Sequence, residues 1–174
     1  GEWLDIIGPL GNRFSNGAGK AKVSISILVA GGMGVAPLLF LAEKLKTQKV
    51  IVLIGARTKR QILCADEFKK LDCEVKIATD NGSRGFKGKV TDLLKHLLSA
   101  ISYQLSAIYA CGPRPMLKEI SHLSKKYNIP AQISLEEHMA CGIGACLGCA
   151  VKTKEGFKRV CKDGPVFNAE EIIW

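Results

Sequence analysis

The sequence contains no apolar run long enough to cross a membrane. A spanning helix needs about 20 consecutive apolar residues, whereas the apolar runs here are short and broken by glycine or charged residues. Aromatic residues are scarce, at 6% of the chain, yet 47% of the residues are hydrophobic and the mean hydropathy is +0.13. This composition argues against a disordered chain and predicts a packed core with no membrane segment.

Acidic residues are outnumbered, with 16 Asp and Glu against 25 Lys and Arg, so the formal net charge is +9. A basic chain can bind nucleic acid through its phosphates. The lysines here are scattered and often stand beside acids, which is typical of a solvated surface. We therefore expect no nucleic-acid partner, and expect the basic groups to face an acidic protein or a dinucleotide phosphate.

Cysteine is sparse over most of the chain and concentrated near its end. Four of the seven cysteines fall in the segment 141–161, and only Cys64, Cys73 and Cys111 lie elsewhere. Thinly spread thiols argue against a disulfide framework and favour a reducing cytoplasm. Cys64 and Cys73 flank a predicted helix without metal-ligand spacing, so we interpret them as buried or idle thiols.

The C-terminal cysteines have the spacing of an iron–sulfur site. Residues 141–149 read CGIGACLGC, and the C-x4-C-x2-C spacing with a later fourth cysteine is that of plant-type [2Fe-2S] proteins. We expect glycines 142, 144 and 148 to take positive φ and to aim backbone N–H groups at the cluster. A four-thiolate zinc site is the main alternative, although no second C-x2-C pair follows. The predicted ligands are Cys141, Cys146, Cys149 and Cys161.

Ahead of the cysteines, the hydrophobic pattern alternates between strands and helices. Short β-branched runs are separated by segments with helical spacing, which predicts a parallel α/β sheet of five strands with helices on both faces. The predicted strands are 25–30, 50–54, 74–78, 105–110 and 131–135, and the predicted helices are 61–71, 89–98 and 114–127, with a further helix after the glycines at 31–34.

Three loops at the carboxyl ends of these strands carry candidate dinucleotide-binding residues. The first is a glycine-rich turn into a helix, where backbone N–H groups attract a pyrophosphate. The second has side chains that can accept hydrogen bonds from ribose hydroxyls. The third is a rigid loop with a thiol at its tip. Each loop, taken alone, can also be interpreted as a tight turn that binds nothing, and no G-x-G-x-x-G fingerprint is present. The candidates are Gly31, Gly32, Gly34 and Pro37 in the first loop, Asp80 and Gly82 in the second, and Cys111, Gly112, Pro113 and Met116 in the third.

The first residues resemble the exit from another domain. Apolar residues up to Phe14 precede a polar, glycine-containing stretch at 15–20, which is typical of a linker. We therefore expect a division into an exit segment and linker at 1–20, a dinucleotide-binding domain at 21–135 and a metal-binding module at 136–174. We also expect a further N-terminal domain that this chain lacks.

Several of these motifs match known families. Residues 31–37, GGMGVAP, and residues 111–113, CGP, resemble the NAD(P)-binding domain of the ferredoxin-NADP reductase superfamily. Residues 79–83 and 88–92, the cysteine stretch from residue 136 and the tail 160–167, VCKDGPVF, resemble the electron-transfer subunits of dihydroorotate dehydrogenase B. This resemblance covers nearly the whole chain and is most specific around the cysteines.

The resemblance implies an electron relay rather than a catalytic site. In that family, electrons pass between NAD and FAD, and a [2Fe-2S] cluster carries them singly to or from the FMN of a separate catalytic subunit that oxidises dihydroorotate to orotate. It implies a heterotetramer in pyrimidine biosynthesis. No residue of this chain stands out as a general base or nucleophile, so we assign no catalytic residue here.

Three questions stay open at this point. The first is whether this chain binds FAD by itself, because the family's FAD sits mainly on an N-terminal domain absent from this chain. The resemblance favours NADH, whereas the basic residues after the second strand, from Arg57 to Arg60, suit the 2′-phosphate of NADPH. The subunit can also serve another oxidoreductase, such as a hydrogenase, a sulfide dehydrogenase or a ferredoxin:NADP transhydrogenase. A non-redox zinc module is the alternative from a different class.

Overall fold

Nine strands and five helices lie in the described part of the chain. The structure, a computed structural model, describes residues 1–15, 25–45, 49–100 and 105–174. The predicted linker at 15–20 lies outside these ranges except for Ser15. The strands are β1 (Ile25–Gly31), β2 (Lys49–Ala56), β3 (Glu74–Thr79), β4 (Phe86–Lys87), β5 (Leu105–Cys111), β6 (Ala131–Ser134), β7 (Ala150–Thr153), β8 (Gly156–Arg159) and β9 (Val166–Asn168). The helices are α1 (Val35–Lys44), α2 (Ala65–Lys70), α3 (Val90–Ala100), α4 (Arg114–Tyr127) and α5 (Val160–Asp163).

Seven of these strands form one sheet, in the order β4-β3-β2-β1-β5-β6-β9. The pairs from β4 to β6 are parallel, and β9 is antiparallel to β6. The predicted five-stranded parallel sheet is therefore confirmed as the centre of a larger one. The order reverses beside β1, so the loops after β1 and β5 meet at the edge where such sheets bind ligands.

Helices cover both faces of the sheet, as predicted. Strand β1 is buried along its whole length, which explains its continuous apolar run. One face packs against α3 and α4, where Val90, Leu94 and Leu117 are buried. The other face packs against α1 and α2, where Leu38 and Phe68 are buried.

The predicted helix at 61–71 is wrong over its first half. Lys59–Gln61 forms a separate turn of 3-10 helix. Ile62 is then extended, and Cys64 takes a left-handed conformation with φ of 57°. Helical backbone cannot pass through these conformations, so α2 begins only at Ala65.

The C-terminal segment packs directly against the sheet. Strand β9 adds to the edge at β6, with Ile133 opposite Phe167. Cys149, Val151 and Cys161 belong to the same buried cluster as the core of β1, while β7 and β8 form a separate antiparallel hairpin. The segment carrying the cysteines is thus anchored to the sheet through apolar contacts.

No helix in the described ranges combines the length and the apolar character that crossing a bilayer requires.

Candidate functional site

A cavity of about 550 Å³ opens at the carboxyl edge of the sheet. All three predicted loops contribute to it. Its walls are built from the ends of β1, β2 and β3 and from the starts of α3 and α4. The lining residues include Gly31, Gly32, Arg57, Asp80, Lys89, Pro113 and Met116. A site of this size and position suits a dinucleotide.

Glycines, which have no side chain, allow the first and third loops to touch. A Cβ on Gly34 would overlap the carbonyl oxygen of Cys111, and a Cβ on Gly31 would come within 2.7 Å of Pro113 Cδ. Gly112, with φ of 156°, faces the backbone of Gly31 in the same way. The glycines therefore bring the two loops into backbone contact, and Gly32 stays open toward the cavity.

Hydrogen bonds hold the second loop against the end of β2. The N–H of Asp80 donates to the carbonyl of Ala56 at 3.1 Å, and the N–H of Lys59 donates to Ser83 Oγ at 2.8 Å. This arrangement fixes Asp80 in the cavity wall beside Arg57. The site therefore presents both an acidic and a basic group to a ligand.

The remaining candidates support the cavity from outside its wall. Pro37 lies in the first turn of α1, where its missing N–H is tolerated. Gly82 has φ of 73° and shapes the turn after Asp80. Cys111 is half-buried, and burial raises the pKa of its thiol, which keeps the sulfur neutral at physiological pH.

Some lining residues were not among the predicted site residues, and Gln61, Leu63 and Lys89 are examples. Gln61 and Leu63 fell inside the predicted helix 61–71, whereas the structure places them in the connection between β2 and α2. Lys89 follows β4, a two-residue strand with no periodicity to detect. The glycines that flank β4, Gly85 and Gly88, both have positive φ and were the available signal for a turn and an added strand.

The four predicted ligand cysteines lie together, in two pairs. The N–H of Cys146 donates to Cys141 Sγ at 3.4 Å, and the N–H of Cys161 donates to Cys149 Sγ at 3.4 Å. The thiols within each pair also interact directly, and Cys141 is close enough to Cys161 for their charges to interact. Two neighbouring pairs of sulfurs match the donor set of a two-iron cluster, with one pair for each iron.

Backbone N–H groups prepare these sulfurs for ligation. They lower the pKa of Cys141 to about 6, with the N–H of Cys146 contributing most, and the N–H of Cys161 lowers the pKa of Cys149. Burial instead raises the pKa of Cys161. Since metals bind the thiolate, these N–H groups favour the ligating form of Cys141 and of Cys149.

The backbone around the cysteines follows the glycine prediction only in part. Gly142 and Gly144 have φ of 70° and 84°, as predicted. The prediction for Gly148 is wrong, because the positive φ falls on Leu147, at 60°. Gly148 instead donates its N–H to Cys146 Sγ at 3.4 Å, so its contribution is close approach to a sulfur.

A single-ion site is not preformed: within the described ranges, no three side chains of His, Cys, Asp or Glu converge on one point. The residues present nevertheless fit an iron–sulfur cluster by chemistry, since four thiols and sulfur-directed N–H donors lie in one segment.

Profiles of two protein families match the chain. Residues 28–122 match the oxidoreductase NAD-binding domain. Residues 136–173 match the iron–sulfur cluster binding domain of dihydroorotate dehydrogenase B. The two matches coincide with the cavity at the sheet edge and with the paired cysteines.

Curated relatives decide the family. A "Dihydroorotate dehydrogenase B (NAD(+)), electron transfer subunit" of Caldanaerobacter subterraneus subsp. tengcongensis is 46% identical over all of this chain and 68% of its own length. That of Desulforamulus reducens is 43% identical over all of this chain and 67% of its own. This chain belongs to the family of dihydroorotate dehydrogenase B electron transfer subunits. As a member of that family it is an oxidoreductase subunit with an NAD-binding domain and an iron–sulfur binding domain, and it spans about two thirds of these relatives.

Solved structures agree with this family's fold. A chain described as an NADH-dependent reduced ferredoxin-NADP oxidoreductase has a TM-score of 0.83 and 34% identity, over 98% of this chain and 60% of its own length. The C-terminal domain of a Pyrococcus furiosus hydrogenase matches with a TM-score of 0.56 at 15% identity, which shows a shared fold alone.

Proposed function

We propose that this chain carries electrons between a nicotinamide dinucleotide and a separate catalytic subunit that oxidises dihydroorotate to orotate in pyrimidine biosynthesis. The dinucleotide occupies the cavity lined by Gly31, Gly32 and Asp80. The four paired cysteines would hold a [2Fe-2S] cluster, which would supply single-electron transfer to or from FMN in the partner. FAD, bound mainly to the part of the relatives' length that this chain does not cover, joins the two-electron and one-electron steps.

The pairing of Cys141 with Cys146 and of Cys149 with Cys161 carries this proposal. The segment that carries these four thiols is anchored to the sheet whose carboxyl-edge loops line the cavity. A cluster supplies reversible one-electron transfer, with a potential set by hydrogen bonds to its sulfurs and by burial. The chain's own task is to hold the ligands, direct N–H groups at the sulfurs and limit contact with water.

The loop that carries the cysteines is also a suitable surface for the partner subunit. Met139, Ile143 and Leu147 are 48%, 48% and 62% exposed, although apolar side chains of this size are usually buried. They lie just before and between the cysteines of this loop. A partner docked over them would cover the apolar surface and bring its flavin toward the cluster.

NADH is the proposed nicotinamide. The relatives are named as NAD(+) proteins, and the carboxylate of Asp80 in the cavity wall disfavours an additional phosphate on the ribose. The seven free cysteines and the proposed cluster suit the reducing cytoplasm.

A second candidate is an iron–sulfur subunit of a ferredoxin-NADP oxidoreductase, favoured by the solved chain with a TM-score of 0.83. The deciding experiment is anaerobic copurification of the full-length subunit with an FMN-containing dihydroorotate dehydrogenase subunit. A stable complex, proposed as a heterotetramer, that reduces NAD⁺ with dihydroorotate supports the first function. No complex with that subunit, combined with NADPH-dependent ferredoxin reduction, supports the second.

A further inference from the structure

The fourth predicted ligand, Cys161, lies far along the chain from the other three. The β7–β8 hairpin separates it from Cys149, so the spacing of the loop 141–149 does not set its position. It lies instead in α5, a helix of four residues. A helix this short has little stability of its own, and side-chain contacts must hold it against the loop.

Arg159 and Asp163 enclose that helix from its two ends. Asp163 Oδ2 accepts two hydrogen bonds from Arg159, one from its backbone N–H at 2.8 Å and one from its Nε at 2.9 Å. Asp163 Oδ1 accepts a third hydrogen bond from Nη2 of Arg159 at 3.3 Å. Side-chain contacts in a two-point ion pair fix orientation as well as distance. Both side chains are about 30% exposed, at 31% and 28%, so solvent screens the pair less than it would at an open surface.

The same guanidinium also reaches the loop that carries the first two cysteines. Arg159 Nη1 donates to the carbonyl oxygen of Gly144 at 3.1 Å. Gly144 stands between Cys141 and Cys146, and its φ of 84° turns that part of the loop. One side chain therefore connects the helix of the fourth cysteine to the loop of the first two.

We propose that Arg159, oriented by Asp163, is a positioning residue that sets the fourth sulfur relative to the other three. The inference rests on the proposed cluster. Arginine suits this role because its planar fork can make the pair with Asp163 and the contact with Gly144 together, whereas the ammonium of lysine is a point donor on a flexible stem.

The test compares anaerobically prepared, cluster-loaded chains carrying Arg159→Lys or Asp163→Asn with the unaltered chain. Lys158→Ala is the matched control, because Lys158 neighbours Arg159 but pairs with Glu155 and Glu171 instead. Three properties are measured: the rate of cluster loss to a chelator, the electron paramagnetic resonance spectrum of the reduced cluster, and the melting temperature of the cluster-free protein.

We expect Arg159→Lys and Asp163→Asn to lose the cluster roughly five to ten times faster, the scale of one ordinary hydrogen bond, with altered resonance positions. Lys158→Ala should stay within about twofold of the unaltered chain, since its ion pairs are with Glu155 and Glu171, outside α5 and outside the loop 141–149. Unchanged spectra and loss rates in both variants overturn the inference, as does a change confined to melting. An unaltered chain that binds no iron overturns the proposed cluster and the inference together.

Discussion

Asn12 donates a hydrogen bond of 2.8 Å from Nδ2 to the backbone carbonyl oxygen of Asp163. The backbone N–H of Asn12 also donates to the carbonyl of Gly164. The N-terminal segment therefore contacts the chain two and three residues beyond Cys161. In this structure the predicted exit segment meets the helix of the fourth ligand directly.

Removing the Asn12 side chain should loosen the turn after α5. For Asn12→Ala we expect a loss of about 0.5–1 kcal/mol in the free energy of unfolding, because the bond is exposed. We also expect faster amide hydrogen exchange at residues 161–165. Asn168→Ala, which removes another exposed side-chain bond, to Glu171, is the control. Equal exchange rates in the two variants would show that Asn12 does not hold this turn.

Substitutions at an exposed and at a buried cysteine of the series should differ in their effect on the stability of the cluster-free protein. Cys146 is exposed and Cys161 is 6% exposed within the core. Cys161→Ser buries a hydroxyl and should cost about 1–3 kcal/mol of stability, whereas Cys146→Ser should cost less than about 0.5 kcal/mol.

Both serine variants should lose the visible absorption of the cluster, and Cys146→Ser should retain dinucleotide binding. Thermal unfolding, absorption spectra and calorimetry with NADH test these expectations. Complete unfolding of Cys146→Ser would contradict the view that the sheet is stable without the metal.

Asp80 should set the choice between NADH and NADPH. Asp80→Asn removes a negative charge from the cavity wall, so the affinity for NADPH should rise relative to NADH by roughly fivefold, the effect of one unit charge at several ångströms in a high-dielectric site. Asp72→Asn removes the same charge away from the cavity, at a left-handed position that asparagine tolerates. If the ratio of the dissociation constants for NADPH and NADH is the same in both variants, Asp80 does not set the choice of nucleotide.

Arg57 should contribute to affinity rather than to that discrimination, if the phosphates common to both nucleotides are its partners. Arg57→Ala should weaken NADH and NADPH by a similar factor, about tenfold for one charge-assisted contact. A loss confined to NADPH would instead assign Arg57 to the 2′-phosphate. Titration of both nucleotides against the single variant separates these outcomes.

Gly34 should affect nucleotide binding through the neighbouring loop. Its φ of −61° is open to any residue, so Gly34→Ala acts by steric overlap with the Cys111 carbonyl. We expect NADH affinity to fall roughly tenfold, because the displaced loop carries Pro113 and Met116. Gly148→Ala, where a Cβ makes only ordinary contact, is the control. Unchanged affinity in Gly34→Ala would separate this loop contact from the binding site.

The sequence predicted the parallel sheet because each central strand is a continuous buried run, and α3 because its leucines recur at helical spacing. Strands β4 and β9 escaped prediction, since two or three residues carry no period. The start of α2 depended on the left-handed Cys64, which no local preference for cysteine indicates.

The four candidate ligand cysteines could be singled out because their spacing is itself the signal, and their role as ligands stays a prediction. The contacts that hold these cysteines in place could not be predicted. Those of Arg159 with Asp163 and Gly144 depend on how α5 folds back on the loop. The same holds for Asn12 and Asp163, which stand 151 residues apart. Leu147 in place of Gly148 at the positive φ shows that glycine content alone did not locate each turn.

The most direct test of the central claim is the iron and acid-labile sulfide content of the chain purified without air, read together with its visible spectrum. The account predicts a coloured protein with about two irons and two sulfides per chain, and loss of both in Cys146→Ser. A colourless chain containing zinc or no metal, still able to couple dihydroorotate oxidation to NAD⁺ in complex with its partner, would contradict it.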